Sequence, residues 1–323
     1  MSRPSYTPSI PLSGIPSGVR APRPQEPNCP PLQLLNEVPL GHDAGGGLTV
    51  PVKVNGQDME FSLSSTSQPT MISQAAADQA KIPTVTRPAG EYVVNSGGGS
   101  NAKGAKVSSF ELGRLRAGAT TLVVEPRLTM AGIFGLDFLS SYDLDLDFGA
   151  DRMRLFSPNH CEGKVMYWQA PVLGRVPLVP SDVIYVRVDL DGHSILAAIN
   201  TGESRSAISR EVAEKLFRFT PGEADTVEMD EALPGEKLYR HVFGKLSFGD
   251  IQVQNPHIVI IPLKKTFGGT EFPDLFIGTD ILRKLHVYFA FQERMMYVSP
   301  ASAPETSAAA GSSQAPPAPA APQ

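Results

Sequence analysis

Two short loops, 136 residues apart, carry the residues of this 323-residue chain whose types and spacing bear on chemistry. Ser64, Ser65 and Thr66 lie in the run Phe61–Ser73, and Asn200, Thr201 and Gly202 lie in the related run Ile195–Ser209. These are hydroxyls and an amide. A serine becomes a nucleophile only beside a positioned base. The nearest acids in the sequence, Asp58 and Asp137, belong to a turn and to a segment read below as a brace. No Gly-x-Ser-x-Gly elbow and no Ser/His/Asp ordering stands out. There is no His-Glu-x-x-His and no Cys-x-x-Cys, so neither a metal nor another cofactor is expected. The glycine cluster Asn95–Ser100 is not followed by a helical pattern, which argues against a phosphate cradle.

The elements that must position these loops are duplicated. Alternating apolar residues in Leu48–Val54 and Met59–Leu63 flank Asn55-Gly56, the signature of a β-hairpin. Ile184–Leu190, Asp191-Gly192 and Ser194–Ile199 repeat it. Each loop then leads into a helical pattern, Ser73–Ala80 and Ser209–Leu216, with a serine at the N-cap position. Ile133–Leu139 answers Phe276–Leu282, and Arg152–Pro158 answers Arg294–Pro300. Order, spacing and turn chemistry recur together, so the chain contains an internal duplication.

Composition bounds the rest. With 41% hydrophobic residues the chain can build two cores, and 19% charged residues with a net charge of −5 leave no basic surface for nucleic acid. No apolar run approaches the ~18 residues of a membrane span. Residues 1–32 and 301–323, rich in Pro, Ser and Ala, cannot offset the entropy of ordering and read as disordered tails. No secretory signal is visible, so a cytoplasmic location is expected, or a periplasmic or secreted one if the true N-terminus is missing. Cys29 and Cys161 flank the first copy, as two reduced thiols or as a disulfide tying the N-terminal arm to the connector. That connector holds Tyr167 and Trp168, read as an aromatic anchor in preference to a substrate-stacking platform.

The two loops resemble the hydrophobic-Asp-Thr-Gly-Ala-Ser active-site loops of aspartic peptidases. The whole pattern resembles the retropepsin-like bacterial forms with two lobes fused in one chain. The resemblance covers about residues 46–158 and 181–300. It implies an all-β fold with minor helix, built as two homologous retropepsin- or pepsin-like β-barrel lobes facing each other across a cleft. The expected division is 33–158 for the first lobe, 159–180 for the linker and 181–300 for the second. By resemblance, Gly135 and Gly278 are brace glycines with Asp137 and Asp280 as the brace acids. Ser96, Gly97, Gly98 and Gly99 fall where such lobes carry a mobile flap.

Both positions of the catalytic aspartates are substituted, by Ser64 and Asn200. The family's chemistry needs two carboxylates sharing one proton, one as base and one as acid. An amide and an unassisted hydroxyl supply neither. Dimerisation cannot restore the site, and a monomer is expected. Thr66 stands where the family has glycine, so a remodelled first loop is expected if that position needs positive φ. Asn200 is expected to face Ser64 as a neutral hydrogen-bonded pair. The implied function is a catalytically silent homologue that binds an extended peptide or protein segment in the cleft. The alternatives are an endopeptidase with a non-standard site, and an interaction protein that works through its Pro-rich tails.

Overall fold

A computed structural model describes residues 29–86, 92–93, 100–101, 103–222, 226–233, 236–263, 266–267 and 270–301. The fold is mostly β, with short helices. The Asn-Gly and Asp-Gly signals do form two-residue hairpin turns. Asn55 and Gly56 take φ of 51° and 79°, and Asp191 and Gly192 take 47° and 86°. Those positive values at both central residues are what makes the turn twist match the strands. The turns join Leu48–Val54 to Gln57–Leu63, and Tyr185–Leu190 to His193–Ile199.

The period-2 pattern sets which side chains go inward. In the first copy Val50, Val52 and Val54 are buried while Pro51 and Lys53 are exposed. In the second, Val186, Val188 and Leu190 are buried. Each such residue contributes about 1.5–3 kcal/mol relative to staying in water, so the alternation fixes the register against a one-residue slip.

The two copies share one topology. Strand Gly132–Phe134 runs parallel to Gln57–Leu63 and antiparallel to Met71–Ser73, which is parallel to Thr120–Glu125. Leu275–Ile277 runs parallel to His193–Ile199 and antiparallel to Ala207–Ser209, which is parallel to His257–Ile261. The predicted helices follow the loops at Gln74–Gln79 and Arg210–Phe217. Ser73 caps its helix, accepting from the Ala76 amide at 3.0 Å. Ser209 occupies the same position without capping, because its hydroxyl donates to the Leu263 carbonyl at 2.9 Å.

A six-stranded run joins the copies. Its order is Leu34–Pro39, Arg152–Phe156, Asp143–Asp147, Leu285–Ala290, Met295–Pro300 and Gly174–Val179. The crossing pair is Asp143–Asp147 against Leu285–Ala290, with Asp145 opposite Tyr288. The stretch expected as linker, 159–180, therefore ends in a strand. The sequence carried the signal, since Glu37-Val-Pro-Leu40 recurs as Arg175-Val-Pro-Leu178. Val38 pairs with Met153 and Val176 with Met296, so the duplication extends into the outer strands of this run.

Cys29 and Cys161 form a disulfide, with Cα atoms 5.1 Å apart. Trp168 stacks on His286 at 4.3 Å and donates to the Ser299 hydroxyl at 3.0 Å, which makes it an anchor of the connector. Residues 1–28 and 302–323, most of the expected tails, and the expected flap residues Ser96, Gly97, Gly98 and Gly99 lie outside the described residues. No helix among the described residues is long and apolar enough to cross a membrane.

Candidate functional site

The two loops meet at the seam between the copies and bind each other reciprocally. The Ser65 amide donates to Thr201 Oγ1, and the Thr201 amide donates to Ser65 Oγ, each at 3.1 Å. Ser65 Oγ donates to the Ile199 carbonyl and Thr201 Oγ1 to the Leu63 carbonyl, each at 2.6 Å. Each hydroxyl thus accepts from the opposite amide and donates to the opposite carbonyl. Around this square, the Leu48 amide donates to the Thr201 carbonyl at 2.8 Å and the Ile184 amide to the Ser65 carbonyl at 3.2 Å. Ser65 and Thr201 are buried, so every one of these bonds satisfies a group that would otherwise cost about 1–3 kcal/mol.

Behind the loops, the braces match just as closely. The Ser64 amide donates to the Phe134 carbonyl and the Asn200 amide to the Ile277 carbonyl. Asp137 accepts from the Thr70 hydroxyl at 2.7 Å and from its amide at 3.0 Å. Asp280 accepts from the Ser206 hydroxyl at 2.6 Å and from its amide at 3.1 Å. The same hydroxyls accept from the amides of Gly135 and Gly278. Burial pushes the Asp137 carboxyl up, against the pull of the Thr70 bonds. The glycines are there for close approach. A Cβ on Gly135 would lie 2.8 Å from the Pro69 backbone, and one on Gly278 2.7 Å from the Arg205 backbone. Thr70 and Ser206 went unread in the sequence, although both sit six residues past the loop position (Ser64 and Asn200).

Two expectations about the loops are corrected. Thr66 has no positive φ, and neither does Gly202. The position takes ordinary backbone, so a β-branched residue fits and the first loop keeps the shape of the second. Nor does Asn200 pair with Ser64. The Ser64 hydroxyl instead turns back to Thr66, 3.4 Å from both its Oγ1 and its amide. The reciprocal square fixes both loop backbones, and the local contact within the first loop is shorter-range than one across the seam. The Asn200 amide group makes no side-chain hydrogen bond among the described residues and stays partly exposed.

Among the described residues, no base stands beside the hydroxyls of this floor. The Ser65 proton is committed to a carbonyl. Ser64 has neither a histidine nor a carboxylate within hydrogen-bond distance among the described residues. Asp58 is engaged with Lys53 at 2.8 Å, and Asp137 with Thr70. No group of three or more His, Cys, Asp or Glu among the described residues could hold a metal.

A further element went unseen in the sequence. The hairpin Thr226–Leu233 with Glu236–Val242 lies in the second copy where the first has its glycine cluster. Glu236–Val242 pairs with His257–Ile261 as Lys103–Val107 pairs with Thr120–Glu125. The signal was Pro234-Gly235 between two alternating runs.

Comparison with known families decides the matter. Residues 50–141 match "gag-polyprotein putative aspartyl protease", and residues 186–281 match "Aspartyl protease". The chain belongs to the aspartyl protease family. It carries two such domains in tandem, and each match spans one hairpin, one loop and one brace. Among curated proteins none matches the chain.

Proposed function

We propose that this member of the family is a binding protein that does not cleave, and that it holds an extended peptide between its two lobes. Ser64 and Asn200 stand, on this reading, at the two dyad positions. The observation that carries it is the conjunction at the seam. The reciprocal square between Ser65 and Thr201 and both brace acids are intact, while the two groups above them are neutral. A cleft in this fold holds a peptide partly through backbone hydrogen bonds, as strand addition does, and these need no carboxylate. The Asn200 side chain, without a partner among the described residues and partly exposed, offers both a donor and an acceptor to one peptide group.

The test is binding of a diverse unstructured peptide library to the full chain, measured from about pH 4 to 8. Retention of a peptide subset with an affinity nearly flat over that range is expected, because neither Ser64 nor Asn200 titrates. Absence of any bound peptide from a folded sample would contradict the reading. The Cys29–Cys161 disulfide further supports an oxidising compartment as the place of work. Uptake of two alkyl groups by the native chain without reductant would contradict that.

A further inference from the structure

Behind the cleft, the sheet that joins the lobes buries an unusual density of charge. Asp143, Asp145 and Asp147 alternate with Leu144 and Leu146 along one strand, and all five are buried. The carboxylates are met from three elements. Arg154 of the neighbouring strand reaches Asp147 at 3.2 Å and Asp145 at 3.4 Å, and also binds Glu37 on the next strand. From the second lobe, His286 Nε2 lies 2.6 Å from Asp145, and the Tyr288 hydroxyl donates to Asp143 at 3.1 Å. From the connector, the Tyr167 hydroxyl donates to Asp145 at 2.6 Å, and His160 Nε2 lies 2.6 Å from Asp143.

The two histidines differ in what their second nitrogen faces. His286 Nδ1 is buried with no hydrogen-bond partner among the described residues, so a single N–H, on Nε2, meets its one contact. His160 faces acceptors on both sides. Its Nε2 meets the Asp143 carboxylate, and its Nδ1 lies 2.9 Å from the Cys161 carbonyl and 3.8 Å from the Glu293 carboxylate. A neutral imidazole has one N–H and one lone pair, so either tautomer would turn a lone pair onto an acceptor. Only the imidazolium satisfies both contacts, and its side chain is 2% exposed, leaving no water to take over. The Asp143 bond accordingly holds the His160 proton above the usual histidine range, with burial opposing.

We propose that His160 is a proton-operated latch that clamps the connector 160–168 across the seam between the lobes. The connector is stitched to the first lobe at Asp143 and Asp145 and to the second at Glu293 and Ser299. The Gly163 amide donates to Glu293 at 3.0 Å, and Trp168 Nε1 to Ser299. Glu293 is itself held by the Tyr297 hydroxyl at 2.6 Å. Loss of the His160 proton sets a lone pair against an acceptor in either tautomer: with the N–H on Nε2 the Nδ1 lone pair faces the Cys161 carbonyl and Glu293, and with it on Nδ1 Asp143 is left with Tyr288 alone. The ring must then turn out, and the segment leading to Trp168 loosens with it. The direction follows from linkage: a histidine with a raised folded pKa stabilises fully below its unfolded value of about 6.5 and loses that contribution as pH rises through the folded value. The latch is closed in acid and opens on the alkaline side. The disulfide at Cys161 keeps the opened connector tethered to the N-terminal arm.

Trp168 is the chain's single tryptophan, so its fluorescence reports the connector alone. The experiment is acrylamide quenching of Trp168 in the oxidised full chain from about pH 6 to 10, with far-UV circular dichroism recorded in parallel. A rise of about threefold in the quenching constant, with unchanged circular dichroism, is expected across the His160 titration. His160→Gln should be readily quenched at every pH, and Asp143→Asn should shift the transition to lower pH. A flat profile in the native chain overturns the proposal, as does exposure of Trp168 only together with global unfolding. Retention of the native transition by His160→Gln overturns it equally. The native chain decides by itself if a variant does not fold, and the readout is independent of any ligand in the cleft.

Discussion

The two lobes are joined at two places, and these differ in kind. At the cleft floor the contact is small, neutral and symmetric, with Ser65 and Thr201 trading the same four hydrogen bonds. At the back it is broad, charged and asymmetric. The first lobe supplies three buried aspartates, and the second supplies His286 and Tyr288. The difference separates two demands on a duplicated fold. Backbone complementarity must obey the pseudo-twofold, because both loops are built by the same repeat. Charge need not obey it, because a carboxylate is satisfied by whichever donor is nearest. In this chain the floor has kept geometry without ionisable groups, and the ionisable groups sit at the back where they cement the lobes.

The comparison predicts unequal costs. Removing a carboxylate from the back leaves other buried charges uncompensated. Asp145→Ala should therefore cost about 3–5 kcal/mol in urea unfolding, the largest single effect. A loss under about 1 kcal/mol would mean that the seam charges are not coupled. Next comes the brace. Gly278→Ala forces a Cβ to within 2.7 Å of the Arg205 backbone, and overpacking of this kind costs about 1–3 kcal/mol. Unchanged stability there would show that the second loop does not rest on its brace.

The floor should cost about as much as the brace, less than the back, and be cooperative. Ser65→Ala and Thr201→Val each leave buried backbone groups unpaired and should each cost about 1–3 kcal/mol. The double variant should lose less than the two losses added together, because the two hydroxyls also meet at 3.2 Å and either variant removes that contact. Strict additivity in a double-mutant cycle would break the picture of a reciprocal square. The smallest effect separates the two helices that follow the loops. Ser73→Ala should cost about 1 kcal/mol as a lost cap. Ser209→Ala should instead act through its bond to Leu263, with the helix itself unaffected in amide exchange.

Much of this was legible in the sequence. The hairpins were, because Asn-Gly and Asp-Gly between alternating runs leave the backbone little choice. The loops and braces were, because a duplicated motif checks its own alignment. What the sequence hid were contacts between distant segments. The local bond of Ser64 to Thr66 replaced an expected pair with Asn200, since nothing in either loop alone says how the two orient at the seam. The strain expected at Thr66 came from assigning positive φ to a glycine position that takes ordinary backbone in both copies. The strand at Gly174–Val179 was readable from its echo of Glu37–Leu40, but its polar and proline residues made it resemble a linker. The Asp143–Asp147 alternation reads as an exposed strand by charge alone. Only the packing of His160, Tyr167, His286 and Arg154 over it shows why those carboxylates are inside.

On the proposed reading, the cleft keeps the architecture of an aspartic peptidase without its chemistry. The most direct test of that reading is hydrolysis of an unstructured protein substrate from about pH 3 to 7, by the native chain and by a Ser64→Asp/Asn200→Asp variant. The account predicts no cleavage by the native chain and acid-dependent cleavage by the variant, with no change needed at Thr66. Acid-dependent cleavage by the native chain would contradict it and send the search for the catalytic carboxylates elsewhere.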